Sequence, residues 1–278
     1  MGDNGATPVP VLVVGGYLGA GKTTLVNHLL RASGQRLMVL VNDFGQSVID
    51  AQLIEASDGD VLQLAGGCVC CQIGDELSAA LARVADTAPE RVVIETSGVA
   101  QPAAVATMVS LTTGLQLDAV VVVADGERID ELLADRYVGD IVAAQLAQAD
   151  LVVLNRAEET SGGLAGLAAW THAPVLPTID GSVSASALVG PAVGGRVPAD
   201  LGPADLRFNT LRLPGEGDPV AVLAAVQALP GLVRAKGFVH AADGTVHVLQ
   251  VAGRRASVAP WVRPGSVPPP GVLCITRR

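Results

Sequence analysis

Gly16-Tyr17-Leu18-Gly19-Ala20-Gly21-Lys22-Thr23 decides the fold of this chain. The stretch fits the pattern G-x4-G-K-[ST], which carries meaning only between a strand and a helix. Both flanks fit: Val9 to Val14 is a β-branched apolar run, and Lys22 to Arg31 carries Leu25, Leu29 and Leu30 at helical spacing. Glycines at this place let successive N–H groups turn inward around phosphate oxygens, and the helix N-terminus adds its dipole. Lys22 would reach the β and γ oxygens, and Thr23 would offer a hydroxyl to Mg²⁺. Gly16, Gly19, Ala20, Gly21 and Thr24 complete the expected cradle. A plain glycine-rich turn is the alternative. Lysine use favours the cradle, because Lys22 and Lys236 are the only lysines and arginine serves elsewhere.

Outward from this unit, apolar runs recur at Arg36 to Val41, Val61 to Leu64, Val92 to Ile94, Ala119 to Val123, Leu151 to Leu154 and Pro174 to Pro177. Ala- and Leu-rich helical stretches separate them. Strands apolar on both faces and joined through helices imply a mainly parallel sheet covered on both sides. From Gly181 to Pro203 the composition shifts to Gly, Pro, Ser and Ala without periodicity, which reads as a linker. Beyond it lie a strand at Leu206 to Leu213, a helix near Pro219 to Ala228, and a hairpin turning at Asp243-Gly244 between Phe238-Val239 and Val246 to Val248. The fold class is therefore α/β, a P-loop NTPase domain over 1–180, a linker over 181–204 and a small α+β C-terminal domain over 205–278.

A P-loop also needs a carboxylate at the end of a neighbouring strand, to orient Mg²⁺ or its water shell. Arg91-Val92-Val93-Ile94-Glu95-Thr96-Ser97-Gly98 supplies Glu95, and the Gly98 amide is placed to sense the γ-phosphate. A solvated strand-end glutamate is the alternative. Asn42-Asp43-Phe44-Gly45 ends another strand and opens a polar loop, so Asp43, with Asp50 second, is a candidate for the Mg²⁺ shell or else an ordinary Asx turn. Base recognition falls to Asn155-Arg156-Ala157-Glu158, where P-loop GTPases carry N-K-x-D. Glu158 is one methylene longer than aspartate, so GTP is expected over ATP by a reduced margin; a surface loop is the alternative. Slow intrinsic hydrolysis is expected, since Val99 follows Gly98 where many signalling GTPases place a water-orienting glutamine, and Gln101 is a weak substitute.

Cys68, Cys70 and Cys71 crowd into Gly66-Gly67-Cys68-Val69-Cys70-Cys71, between a strand and a helix starting near Asp75. Three soft ligands suit Zn²⁺ or a similar thiophilic ion and leave a fourth position open, which fits a transferable ion. A nearby helix N-terminus would favour thiolates. A redox cluster and inert buried cysteines are the alternatives. Cys274 reads as packed in a strand.

Composition narrows the classes further. The 278 residues carry 18 Lys+Arg against 27 Asp+Glu, a net charge of −9 that disfavours a general nucleic-acid grip. The longest strictly apolar runs, Ala119 to Ala124 and Val220 to Val226, span six and seven residues, far below the roughly 18 that cross a bilayer, so no membrane partner is expected. The N-terminus lacks the basic start and apolar stretch of a signal peptide, which makes a cytoplasmic protein the expectation.

Taken together, Gly15 to Leu25, Asn42-Asp43-Phe44-Gly45, Gly66 to Cys71 and Glu95-Thr96-Ser97-Gly98 stand in the order seen in the CobW-like family of P-loop GTPase metallochaperones. Arg234-Ala235-Lys236-Gly237-Phe238 is similar to that family's second domain, so the resemblance covers nearly the whole chain. It implies a cytosolic GTPase that binds a transition metal, usually Zn²⁺ and in some branches Co²⁺, and delivers it to a client metalloprotein. A nucleotide- and metal-binding sensor or store, and an accessory GTPase in cobalamin-related metal insertion, are the other functions open at this point. The chain departs from the family where Asp43 and Gln46 stand for glutamates and Glu158 for aspartate, and its four histidines are scattered. It stops at Arg278 directly after a strand where relatives often continue into a helix, so a shortened second domain or a different client is expected.

Overall fold

A computed structural model of the chain describes residues 8–33, 37–42, 61–63, 72–87, 89–157, 166–189, 208–253, 255–261 and 268–277. They belong to two compact units that part between Val183 and Ser184.

The first unit runs β1 (Val9–Gly15), α1 (Lys22–Ala32), β2 (Leu37–Asn42), β3 (Val61–Gln63), α2 (Gln72–Thr87), β4 (Arg91–Thr96), α3 (Pro102–Leu111), β5 (Leu115–Asp125), α4 (Ile129–Ala134), α5 (Gly139–Gln148), β6 (Leu151–Asn155) and β7 (Val175–Pro177). Its strands form one sheet in the order β3-β2-β4-β1-β5-β6-β7, parallel at every pairing. Strands β1 and β6 and most of β2 and β4 read as near-continuous apolar runs because both faces are covered. Val9, Val11 and Val13 join Leu81, Val105, Val109 and Leu146 in one buried cluster, while Leu12 and Val14 point the other way and are just as buried. Helix α1 buries Leu25, Val26 and Leu29. The chain leaves β1 in the middle of the sheet, beside β4 and β5, and at such a crossing the loops after the strand C-termini form a crevice.

Strand β5 begins at Leu115, four residues before the apolar run read as Ala119 to Val123. Its first four residues alternate apolar and polar, and its register against β1 slips so that Val11 faces Leu117 and Leu12 faces Ala119. The extra residue is Asp118, whose carboxylate this bulge aims at the Arg91 guanidinium on β4; the two form an ion pair with both side chains 2% exposed.

The second unit contains α6 (Ala185–Val189), β8 (Phe208–Leu213), α7 (Pro219–Gln227), β9 (Leu232–His240), β10 (Val246–Ala252), β11 (Arg255–Pro260) and β12 (Gly271–Arg277). The strands make an antiparallel sheet in the order β11-β10-β9-β12-β8. Pro219 starts α7 and the Asp218 carboxylate caps it, accepting from the Ala221 amide at 2.8 Å. Val226 of α7 packs onto Ala235, Val239, Leu249 and Val272. The stretch read as a linker from composition carries α6, with Ala187, Leu188 and Val189 buried; four apolar residues in five were enough for a short helix despite the surrounding glycines. Cys274 is fully buried in β12, and desolvation pushes its thiol up to about 11, so it stays protonated.

Candidate functional site

Helix α1 starts without a side-chain cap. Its N-cap is Gly21, held at φ 104°, which offers the first-turn amides no side-chain cap. Those N–H groups and the dipole behind them face the loop, the arrangement that receives anions. A Cβ on Gly21 would come within 2.4 Å of Asn155 Nδ2, so sterics and φ both demand glycine there. Lys22 is 8% exposed, and its ammonium donates to the Tyr17 carbonyl at 3.4 Å across the loop.

Glu95 comes from the end of β4. Its neighbour in the ladder is Val14, so the strand places it directly beside the start of the loop. The Thr23 hydroxyl donates to Glu95 Oε1 at 2.7 Å, and Glu95 is 5% exposed. A cavity of about 300 Å³ opens at this point, walled by Gly21, Lys22, Thr23, Glu95, Gly98 and Arg156. A hydroxyl and a carboxylate in contact beside a buried ammonium form a hard, all-oxygen donor set, which fits Mg²⁺ rather than a soft metal. Thr24 and Val41 also line the cavity, so β2 ends on its wall. Asp43, Asp50, Cys68, Cys70, Cys71 and Glu158 lie outside the described residues; among the described residues no group of three metal-ligating side chains occurs.

Two candidate residues serve the loop from beneath. Asn155, at the end of β6, donates from Nδ2 to the Ala20 carbonyl at 3.0 Å and accepts from the Arg156 amide at 2.9 Å. Its side chain therefore holds the P-loop backbone. Arg156 sits at φ 55°, an uncommon conformation for a side-chain-bearing residue. Its guanidinium donates to the Gly19 carbonyl at 2.7 Å and to both oxygens of Asp125 at 3.1 and 2.5 Å. The hydrogen bond to Asp125 raises the Arg156 pKa further.

Sequence reasoning passed over Asp125, whose position at the end of an apolar strand next to the P-loop strand was the available signal. It also passed over the loop after β7. There Gly181, at φ 74°, approaches Thr24 and Asn155; a Cβ on it would sit 3.4 Å from Thr24 Cγ2. The Thr178 carbonyl accepts from the Ala157 amide at 2.9 Å, joining this loop to the one carrying Arg156. Hydrogen bonds from Ser182 keep the Asp180 carboxyl below its ordinary range. Replacement of Asp125 by Asn keeps the size but removes the charge-assisted pair with Arg156, worth about 1.5 kcal/mol. Affinity for nucleoside di- and triphosphates is then expected to weaken alike, roughly ten-fold by calorimetric titration; unchanged affinities would show that Gly19 needs no clamp.

Residues 10–171 match the family model for the CobW/HypB/UreG nucleotide-binding domain. The chain is 32% identical over 226 residues to the zinc chaperone CobW of Pseudomonas aeruginosa, covering 68% of this chain and 58% of that protein. It is 34% identical over 169 residues to the zinc-regulated GTPase metalloprotein activator 1 of Schizosaccharomyces pombe, covering 56% and 41%. To the zinc chaperone YjiA of Escherichia coli it is 33% identical over 162 residues, covering 54% and 50%. The chain spans about half the length of the curated relatives it matches. Among the described residues no helix is long and apolar enough to cross a membrane.

Proposed function

Because the chain belongs to the CobW/HypB/UreG family through residues 10–171, we propose that it is a GTP-hydrolysing metallochaperone, which binds a transition ion, Zn²⁺ first and Co²⁺ second, and passes it to a client metalloprotein. The observation that carries the hydrolase part is the 2.7 Å contact of Thr23 with Glu95 beside the buried Lys22. In this reading the first-turn amides of α1 and the amides of Gly19 to Gly21 bind the α- and β-phosphates. Lys22 would bring its ammonium to the β and γ oxygens. Thr23 would hold Mg²⁺ directly and Glu95 and Asp43 through its water shell, and the ion would neutralise charge on the transferring phosphoryl group. Gly98 offers its amide to the γ-phosphate. Glu158 accepts from guanine while Asn155 and Arg156 keep the loop in place.

The names of the relatives support the metal part, as does the C-x-C-C run at Cys68, Cys70 and Cys71. Strands β2 and β3 are parallel neighbours, with Val41 opposite Gln63. Both strands therefore end at the P-loop edge of the sheet, and Asp43 and the cysteines follow them in sequence. If GTP and Mg²⁺ order the segment carrying Asp43 and so fix the cysteines, GTP tightens metal binding and GDP loosens it, and linkage demands the reciprocal effect.

The experiment is GTP and ATP turnover with and without Zn²⁺ or Co²⁺, together with metal titrations in a GTP analogue, GDP or no nucleotide. Turnover of GTP is expected to exceed that of ATP, and the GTP analogue is expected to tighten Zn²⁺ binding about 5- to 150-fold over GDP. Affinity should fall as pH drops, because thiol ligands must lose protons. Equal metal affinities in the three states would remove the switch, and metal binding that survives a Cys68, Cys70 and Cys71 to Ser triple substitution would place the ion elsewhere.

A further inference from the structure

We propose that Gln145 of α5 is a positioning residue that latches the turn after Glu95 against the P-loop, and thereby makes the site discriminate a nucleoside triphosphate from a diphosphate. The inference rests on the reading that Gly98 meets the γ-phosphate.

Gln145 is 1% exposed, and a carboxamide so buried must place its N–H groups on acceptors. Nε2 donates to the Gly98 carbonyl at 3.1 Å and to the Ala100 carbonyl at 2.8 Å, so both its protons are used on one turn. The Ala100 amide closes that turn on the Ser97 carbonyl at 3.0 Å. One helical turn further, Gln148 repeats the grip: it donates to Gln101 Oε1 at 2.8 Å and accepts from the Ala103 amide at 3.0 Å. That second bond caps α3, whose N-cap residue Gln101 makes no side-chain cap of its own. Spacing of three residues puts both glutamines on one face of α5. It also ties up Gln101, the glutamine that the sequence offered for orienting water.

The P-loop also packs against this turn. A Cβ on Gly98 would meet the Leu18 amide nitrogen at 2.8 Å and the Leu18 side chain at 2.5 Å. Leu18 and Gln145 line the same small cavity under the loop. Gly98 thus meets Leu18 at its α-carbon and Gln145 at its carbonyl, and both hydrogen bonds of Gln145 end on this turn rather than on the Gly19 to Gly21 backbone that would carry the α- and β-phosphates. Loosening the latch should therefore be felt by the γ-phosphate alone.

The test uses the full chain with Gln145→Met, which keeps the length and removes both donors. Affinities for GDP and for a non-hydrolysable GTP analogue are measured beside single-turnover hydrolysis. Analogue affinity and turnover are expected to fall about ten-fold or more, with GDP affinity within about two-fold of wild type. Equal losses for both nucleotides, or no loss, would overturn the latch. Gln148→Met, at a less buried position, should shift the analogue-to-GDP ratio the same way by about three-fold, and it decides the matter if Gln145→Met does not fold; an unchanged ratio there overturns the proposal. Wild-type protein that binds neither nucleotide would instead overturn the functional reading beneath it.

Discussion

Lys22→Ala is expected to lower GTP turnover by about a thousand-fold while leaving the protein folded. The ammonium lies at the mouth of α1, 8% exposed and within 3.4 Å of the Tyr17 carbonyl. Preorganised charge in a site that excludes water is worth far more than in solvent, and loss of one such donor typically costs two to three orders of magnitude, about 3 to 4 kcal/mol. In the proposed role, with its ammonium on the β and γ oxygens, Lys22 is expected to sit at the upper end of that range. Stability should move the other way or not at all, because a buried cation carries a desolvation penalty that alanine relieves. A turnover assay and a thermal melt on the same sample separate the two effects. Hydrolysis near the wild-type rate would remove the P-loop assignment, whatever the melt shows.

The features most legible in the sequence are those with a period or a fixed spacing. The strand runs were readable because a parallel sheet buried on both faces leaves no alternation to confuse with other structure, as Val11 to Val14 and all of β4 illustrate. Gly21 was readable because only glycine satisfies its φ of 104° and its approach to Asn155. Less was visible where a residue's task is set by a neighbour distant in sequence. Asn155 looked like a base-reading residue, but its amide is given to Ala20, 135 positions away. Nothing in Ile141 to Gln148 reveals that two glutamines grip a turn some 45 residues earlier, since glutamine is an ordinary helix residue. The start of β5 was missed for a related reason: Leu115 to Asp118 mixes polar and apolar residues, and the bulge that accommodates Asp118 has meaning only beside Arg91.

That bulge supports the largest stability effect expected. Asp118→Ala should destabilise the first unit by about 3 to 5 kcal/mol, since it leaves the Arg91 guanidinium buried without the carboxylate that faces it. Both partners are 2% exposed, so water cannot take the place of the lost anion without opening the packing across β4, β1 and β5. Removing both groups together should be milder: Arg91→Met with Asp118→Leu keeps the volume apolar, and replacement of a buried pair by hydrophobic residues is often neutral or stabilising. Denaturant melts of wild type, the single variant and the double variant form the test. The double variant should recover most of the loss, and a single variant within about 0.5 kcal/mol of wild type, the range of ordinary surface changes, would show the pair to be dispensable. Nucleotide affinity provides the control. Arg91 opens β4 and Glu95 stands four residues later, about 13 Å along the strand, so the folded double variant should bind GTP as wild type does. Any loss of affinity there would mean that the register of β5 against β1, and not the ion pair alone, sets the height of the P-loop above the sheet.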